Sequence, residues 1–114
     1  MSKNFMTVNR IMYPGDYIKS NNGKFKAIFQ EDGNFVVYPD LHTAIWSSHT
    51  QNQGAIKLIM QSDGNLVIYK RGAPLWASGT CGQGNGNNNV AFLRLTDDGI
   101  LVLTAGDDVV WKSQ

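Results

Sequence analysis

The chain has 114 residues, of which 17% are charged, with a formal net charge of +1 and one cysteine. That length suits a single domain over 1–114 with a modest core, and is too short for two. The near-neutral balance lacks the basic stripe of a nucleic-acid-binding protein, and no run approaches the ~20 apolar residues of a membrane span.

The first ten residues, Met1-Ser-Lys-Asn-Phe-Met-Thr-Val-Asn-Arg10, lack the apolar stretch of a signal peptide. A cytoplasmic protein is expected, or one exported by a leaderless route. The segment Met12-Tyr-Pro-Gly-Asp-Tyr-Ile-Lys19 then begins a sheet.

Next comes a hairpin signature, Gln30-Glu-Asp-Gly-Asn-Phe-Val-Val-Tyr38, which recurs 31 residues later as Gln61-Ser-Asp-Gly-Asn-Leu-Val-Ile-Tyr69. A decayed third copy is Thr96-Asp-Asp-Gly-Ile-Leu-Val-Leu-Thr104. Each copy is closed by a tryptophan, Trp46, Trp76 or Trp111. A fixed period of this kind marks one supersecondary unit used three times, here roughly 12–48, 54–78 and 89–113. Asp-Gly between alternating apolar runs is a strong hairpin signal, because both residues tolerate the positive φ of such turns.

Alternation assigns the inward face. It takes Phe25, Ala27, Phe29, Phe35 and Val37 in the first unit, and Ile56, Leu58, Met60, Leu66 and Ile68 in the second. In the third it takes Ala91, Leu93, Leu95, Leu101 and Leu103. The sequences around the three tryptophans read as further strands. A lone hairpin is marginal in water, whereas three small sheets around a shared axis bury all three faces together. The tryptophans are the natural occupants of that axis. The polar stretches Ser47 to Gly54 and Ser78 to Asn89 read as connecting loops.

The outward residues carry the functional signal. Gln30, Asp32, Asn34, Val36 and Tyr38 in the first unit match Gln61, Asp63, Asn65, Val67 and Tyr69 in the second, while their neighbours differ. Two amides, a carboxylate and a phenol around an apolar methyl patch complement a sugar, whose hydroxyls donate and accept and whose C–H face is apolar. The third unit is an internal control. It keeps Asp98 and Val102 but has Thr96, Ile100 and Thr104 where Gln, Asn and Tyr stood. The fold tolerates losing the polar set, so the fold does not demand it.

At these residues the chain resembles the bulb-type, snowdrop-like mannose-binding lectins, whose motif is Gln-x-Asp-x-Asn-x-Val-x-Tyr. The resemblance covers residues 12 to 113, including the Trp-x-Ser endings. It implies an all-β, β-prism II fold of three four-stranded antiparallel sheets with pseudo-threefold symmetry. It also implies that Asp32 and Asn34 hold the axial 2-hydroxyl of mannose, Gln30 the 3-hydroxyl and Tyr38 the 4-hydroxyl, with Val36 against ring carbons. Gln61, Asp63, Asn65, Val67 and Tyr69 would repeat these roles, and the third site would be inactive. Partners implied are mannose, mannose-rich glycans and a second copy in a homodimer, through exchange of the strand from Asp108 to Gln114. Plant members staple the first two units with a disulfide, at places that fall here on Gly33 and Ile56. Without bridge or leader, the chain is more similar to animal members such as fish skin-mucus lectins.

Catalysis is not expected, nor is a cofactor or metal. His42 and His49 lie in a polar stretch without companion ligands, and Asp32 and Asp63 belong to separate repeats. Cys81, in a Gly- and Asn-rich loop, reads as an exposed free thiol, with an interchain bridge as the sharper alternative. The competing function is an interaction or structural protein on the same fold with silent sugar sites.

Overall fold

The computed structural model describes residues 3–39, 43–82 and 91–114. The described residues form twelve strands and no helix. The three repeats supply three strands each. The first gives β4 (Lys26–Phe29), β5 (Phe35–Tyr38) and β6 (Trp46–Ser47). The second gives β7 (Ala55–Met60), β8 (Leu66–Lys70) and β9 (Ala73–Ala77). The third gives β10 (Ala91–Leu95), β11 (Leu101–Ala105) and β12 (Asp108–Lys112).

The lead-in does more than begin one sheet. Its short strands β1 (Phe5–Met6), β2 (Ile11–Met12) and β3 (Tyr17–Lys19) go one to each sheet. The orders are β1-β10-β11-β12, β2-β7-β8-β9 and β3-β4-β5-β6, antiparallel throughout. This is the β-prism II arrangement of three four-stranded sheets. Each lead strand inserts one buried side chain, Met6, Met12 or Ile18. The N-terminal segment thereby ties together sheets that the repeats alone would leave three-stranded. The C-terminal strand β12 pairs with β11 of its own chain.

The inner rows repeat in register. Ala27 faces Val37, Leu58 faces Ile68 and Leu93 faces Leu103; one step nearer the turn, Phe29 faces Phe35, Met60 faces Leu66 and Leu95 faces Leu101. All twelve are fully buried. Trp46, Trp76 and Trp111 stand opposite Val37, Ile68 and Leu103. Their rings interlock edge to face, with centroids 5.6–5.8 Å apart and interplanar angles of 71–75°. Each such pair is worth roughly 0.5–1.5 kcal/mol beyond the area it buries, so the triad closes the three sheets on one another.

Alternation fails at one inner position. Ile56 is 48% exposed, because a bulge between Ala55 and Lys57 leaves it without a cross-strand partner. The turns use the two residues of each Asp-Gly pair unequally. Gly33 N donates to the Gln30 carbonyl and Gln30 N to the Asn34 carbonyl, enclosing the three-residue loop Glu31-Asp32-Gly33. The second and third turns repeat this pattern. Of each Asp-Gly pair only the glycine takes positive φ: 89° at Gly33, 91° at Gly64 and 84° at Gly99. That is a three-residue hairpin loop with its last residue left-handed.

These glycines are also joints between units. A Cβ on Gly33 would lie 2.8 Å from the Ala55 Cβ, and one on Gly99 would lie 2.5 Å from the Phe25 ring. The residue facing Gly33 is therefore Ala55, one position before the bulged Ile56 that the resemblance implied. Gly54 has a similar φ, 83°, but open space around it. Gly54→Ala should cost about 1 kcal/mol for its left-handed backbone. Gly33→Ala should cost about 3 kcal/mol, because overlap with Ala55 adds to the same strain. Urea midpoints of the two variants test this; equal losses would mean that the turns do not bear on their neighbours.

Candidate functional site

The two outward corners are built by the turn of one hairpin and the segment following its tryptophan. In the first corner, Asp32 Oδ1 accepts from Asn34 N at 2.9 Å, which fixes the turn. The Asn34 amide oxygen accepts from Thr50 N at 3.2 Å, with Ser48 Oγ also 3.2 Å away. Thr50 Oγ1 gives its only proton to the Gly33 carbonyl at 2.6 Å, so it receives from Ser48 Oγ at 2.8 Å. Ser48 Oγ in turn accepts from Phe35 N. Ser48 and Thr50 are both buried.

The second corner repeats this clamp. Asp63 Oδ1 accepts from Asn65 N at 2.9 Å. Asn65 Oδ1 accepts from Gly79 N at 3.1 Å and Thr80 N at 3.2 Å, with Ser78 Oγ 3.1 Å away giving its proton to Thr80 Oγ1 at 2.7 Å. Thr80 Oγ1 donates to the Gly64 carbonyl at 2.6 Å.

The consequence is chemical. Each Asn oxygen is consumed inside the protein, so the amide can point only one way, leaving its NH2 group as a donor unused among the described residues. The turn Asp keeps one oxygen out of the turn bond. The corner thus offers a donor beside an acceptor, held by buried groups.

At the other end of each corner, the Gln30 amide donates to the Tyr38 hydroxyl and the Gln61 amide to the Tyr69 hydroxyl. Each phenol keeps its own proton to give. These bridges correct the expectation of an accessible methyl patch. Val36 and Val67 do lie on the outward face but are only 1% and 3% exposed. Gln30 and Tyr38 flank the row where Ile28 faces Val36, so their bond spans that row and covers it.

The third corner is wired differently. Thr96 Oγ1 accepts from Ile100 N at 3.1 Å and Asp98 N at 3.3 Å, taking over the turn-fixing role of Asp32. Ile100 has no amide to clamp. Ser113 Oγ still accepts from Leu101 N, which matches Ser48 with Phe35 N. Val102 is buried, and Thr104 Oγ1 is buried without a partner among the described residues. The turn is instead docked on the first unit: Asp97 Oδ1 accepts from Asn22 N, and Asn22 Nδ2 donates to the Asp97 carbonyl.

Sequence reasoning missed the clamp itself. Its signal was present as Trp46-Ser-Ser-His-Thr50 and Trp76-Ala-Ser-Gly-Thr80, against Trp111-Lys-Ser-Gln114. The threonines fall in segments that read as plain loop. His49 is exposed, with Nδ1 3.3 Å from Ser47 Oγ, while His42 lies outside the described residues. Part of the expected loop from Ser78 to Asn89 also lies outside them. Among the described residues no group of His, Cys, Asp or Glu could hold a metal.

The corners differ in one respect. Cys81 Sγ lies 3.3 Å from Asp63 Oδ2, where the first unit has Gln51. The hydrogen bond to Asp63, and then the charge of that carboxylate, raise the Cys81 thiol above its ordinary pKa. A raised pKa means less thiolate near pH 8, hence slow alkylation. Asp63→Asn removes the charge and lowers the pKa, so iodoacetamide labelling of Cys81 should speed up at least about threefold. An unchanged labelling rate would show that the thiol does not feel Asp63.

No protein-family model matches the chain. It is 40% identical over 111 residues, 96% of its own length and 94% of the other's, to the B-type lectin plumieribetin of Scorpaena plumieri. Among solved structures it is similar to a monomeric monocot mannose-binding lectin from Gastrodia elata, with TM-score 0.84 and 29% identity over 97% of this chain and 96% of that one. It is also similar to the mannose-specific agglutinin of snowdrop (Galanthus nivalis) bulbs complexed with methyl-α-D-mannoside. There the TM-score is 0.77, with 33% identity over 93% of each chain. On this likeness in sequence and fold, the chain belongs to the B-type, or bulb-type, lectins, a family of carbohydrate-binding proteins.

Proposed function

We propose that this protein binds mannose without catalysis at two sites per chain, and that it cross-links mannose-rich glycans in defence against cells that carry them. The observation that supports this most is the outward NH2 of Asn34 and of Asn65, each held beside a turn carboxylate. A hydroxyl group both donates and accepts, so one hydroxyl can give its proton to Asp32 and receive from Asn34. An axial 2-hydroxyl placed there satisfies both groups, whereas an equatorial one leaves them unpaired. Unpaired polar groups are where hydrogen-bonding sites gain discrimination. The Gln30–Tyr38 and Gln61–Tyr69 pairs then serve the neighbouring hydroxyls. In the third corner Ile100 removes the donor, and we assign no sugar to it.

The snowdrop agglutinin, complexed with methyl-α-D-mannoside, and a Polygonatum cyrtonema lectin complexed with monomannoside are relatives whose ligand fits this reading. A monosaccharide in an open corner binds at about millimolar Kd, near −4 kcal/mol. Linking two sites raises avidity by ~10²–10⁴, and a homodimer would present four. Light scattering at micromolar concentration should find a species of twice the 12.6 kDa chain mass. A monomer alone would remove the dimer but leave two-site cross-linking.

The decisive test is retention on immobilised mannose and release by free mannose. Asn34→Asp with Asn65→Asp keeps the oxygen that accepts from the backbone N–H of Thr50 or Thr80 but removes the outward donor. The double variant should pass through unretained, with Tm shifted by less than about 4 °C. Retention of the variant would mean that the sugar lies elsewhere. Flow-through of the unmodified protein would favour a sugar-silent interaction protein.

A further inference from the structure

Beside the tyrosine of each proposed sugar corner lies a hollow lined with cations. Next to Tyr38 it is formed by Lys19, Lys24 and Lys26 with Phe25 and Pro39, and has a volume of about 260 Å³. Next to Tyr69 it includes Lys57, Lys70 and Arg71, with a volume of about 480 Å³. Both are far roomier than the ~30 Å³ share of one water. Among the described residues no carboxylate lines either hollow and none of these six cations forms an ion pair.

The placement is repeated by register. Lys26 faces Tyr38 across β4 and β5, and Lys57 faces Tyr69 across β7 and β8. The third unit again serves as control. Phe92 faces Thr104 where the lysines face tyrosines, and Ala105 and Gly106 stand where the second unit carries Lys70 and Arg71. The cations at these positions thus have no counterpart at the third corner, where Arg94 and Lys112 flank Val102 instead. Strand structure does not require them. Lys57 Nζ stands 5.8 Å from the Tyr69 ring centroid, and Lys26 Nζ stands 4.4 Å from that of Tyr17, so aromatic faces hold both lysines near the hollows.

We infer that these hollows are anion-binding extensions of the sugar sites, and that the preferred ligands are mannosides bearing phosphate, sulfate or carboxylate. The inference rests on the mannose reading above. With the 4-hydroxyl at the tyrosine, carbon 6 of the same ring lies on that side, and a charged group attached there meets the lysines. Three unpaired cations in an open hollow attract an anion strongly at low salt and weakly at high salt, since screening acts over roughly 10 Å at 0.1 M.

The test is calorimetric titration of the whole protein with methyl α-mannoside, mannose 6-phosphate, methyl α-mannuronoside and inorganic phosphate. At about 25 mM NaCl the phosphorylated sugar should bind at least threefold tighter than the neutral one, and at about 500 mM the gain should vanish. The mannuronoside arm separates a carboxylate preference from a phosphate one. A variant with Lys24, Lys26, Lys57 and Arg71 all changed to Gln should bind the charged and neutral sugars equally, with methyl α-mannoside affinity unchanged. Equal affinity for charged and neutral sugars in the unmodified protein overturns the extension and leaves the mannose reading standing. Inorganic phosphate binding as tightly as mannose 6-phosphate also overturns it, because the cations would then take any anion without a sugar. Failure of every sugar to bind overturns both readings together.

Discussion

Everything at the two outward corners depends on a carbonyl being used up. Asn34 and Asn65 could rotate their amides freely if their oxygens faced water, and would then offer a donor or an acceptor indifferently. The backbone N–H groups of Thr50 and Thr80 remove that freedom by donating to the oxygen, with the hydroxyls of Ser48, Thr50, Ser78 and Thr80 bonded to one another behind them. Leaving such buried hydroxyls unpaired costs about 1–3 kcal/mol each, which is why the network is closed down to the Gly33 and Gly64 carbonyls. The corner is preorganised because the groups behind it are hydrogen-bonded, with Ser48, Thr50 and Thr80 buried and Ser78 half-buried.

The scaffold beneath follows from the weakness of its parts. A three-stranded unit of strands two to six residues long cannot bury its inner face alone. Three such units facing the Trp46, Trp76 and Trp111 cluster do so together, and the turn glycines let each corner press against the next unit. Threefold repetition has a further consequence. The third corner, which lacks the polar set, serves architecture instead: Asp97 and Gly99 are joined to Asn22 and Phe25 of the first unit.

Much of this was legible in the residues because both signals are periodic. Alternation exposed the inner rows, and the 31-residue recurrence exposed the polar quintets, with the third unit as control. Other features had no periodic trace. Strands as short as Phe5–Met6 and Ile11–Met12 hold too few residues to alternate, so the sharing of the N-terminal segment among three sheets was hidden. The bulge that turns Ile56 outward depends on register with Lys70 and Tyr69, which no local pattern records. Val36 and Val67 face outward as expected, yet the Gln–Tyr bridges above them are tertiary contacts, and these decide their burial. Thr50 and Thr80 lie in irregular segments, where only comparison between repeats singles them out.

The account stands or falls on where a mannoside settles. Crystals of the protein soaked in methyl α-mannoside should show sugar density in the first and second corners, with the Nδ2 atoms of Asn34 and Asn65 on a ring hydroxyl. The corner at Ile100 should be empty. Vacant first and second corners, or sugar seated at Ile100 instead, would contradict the account.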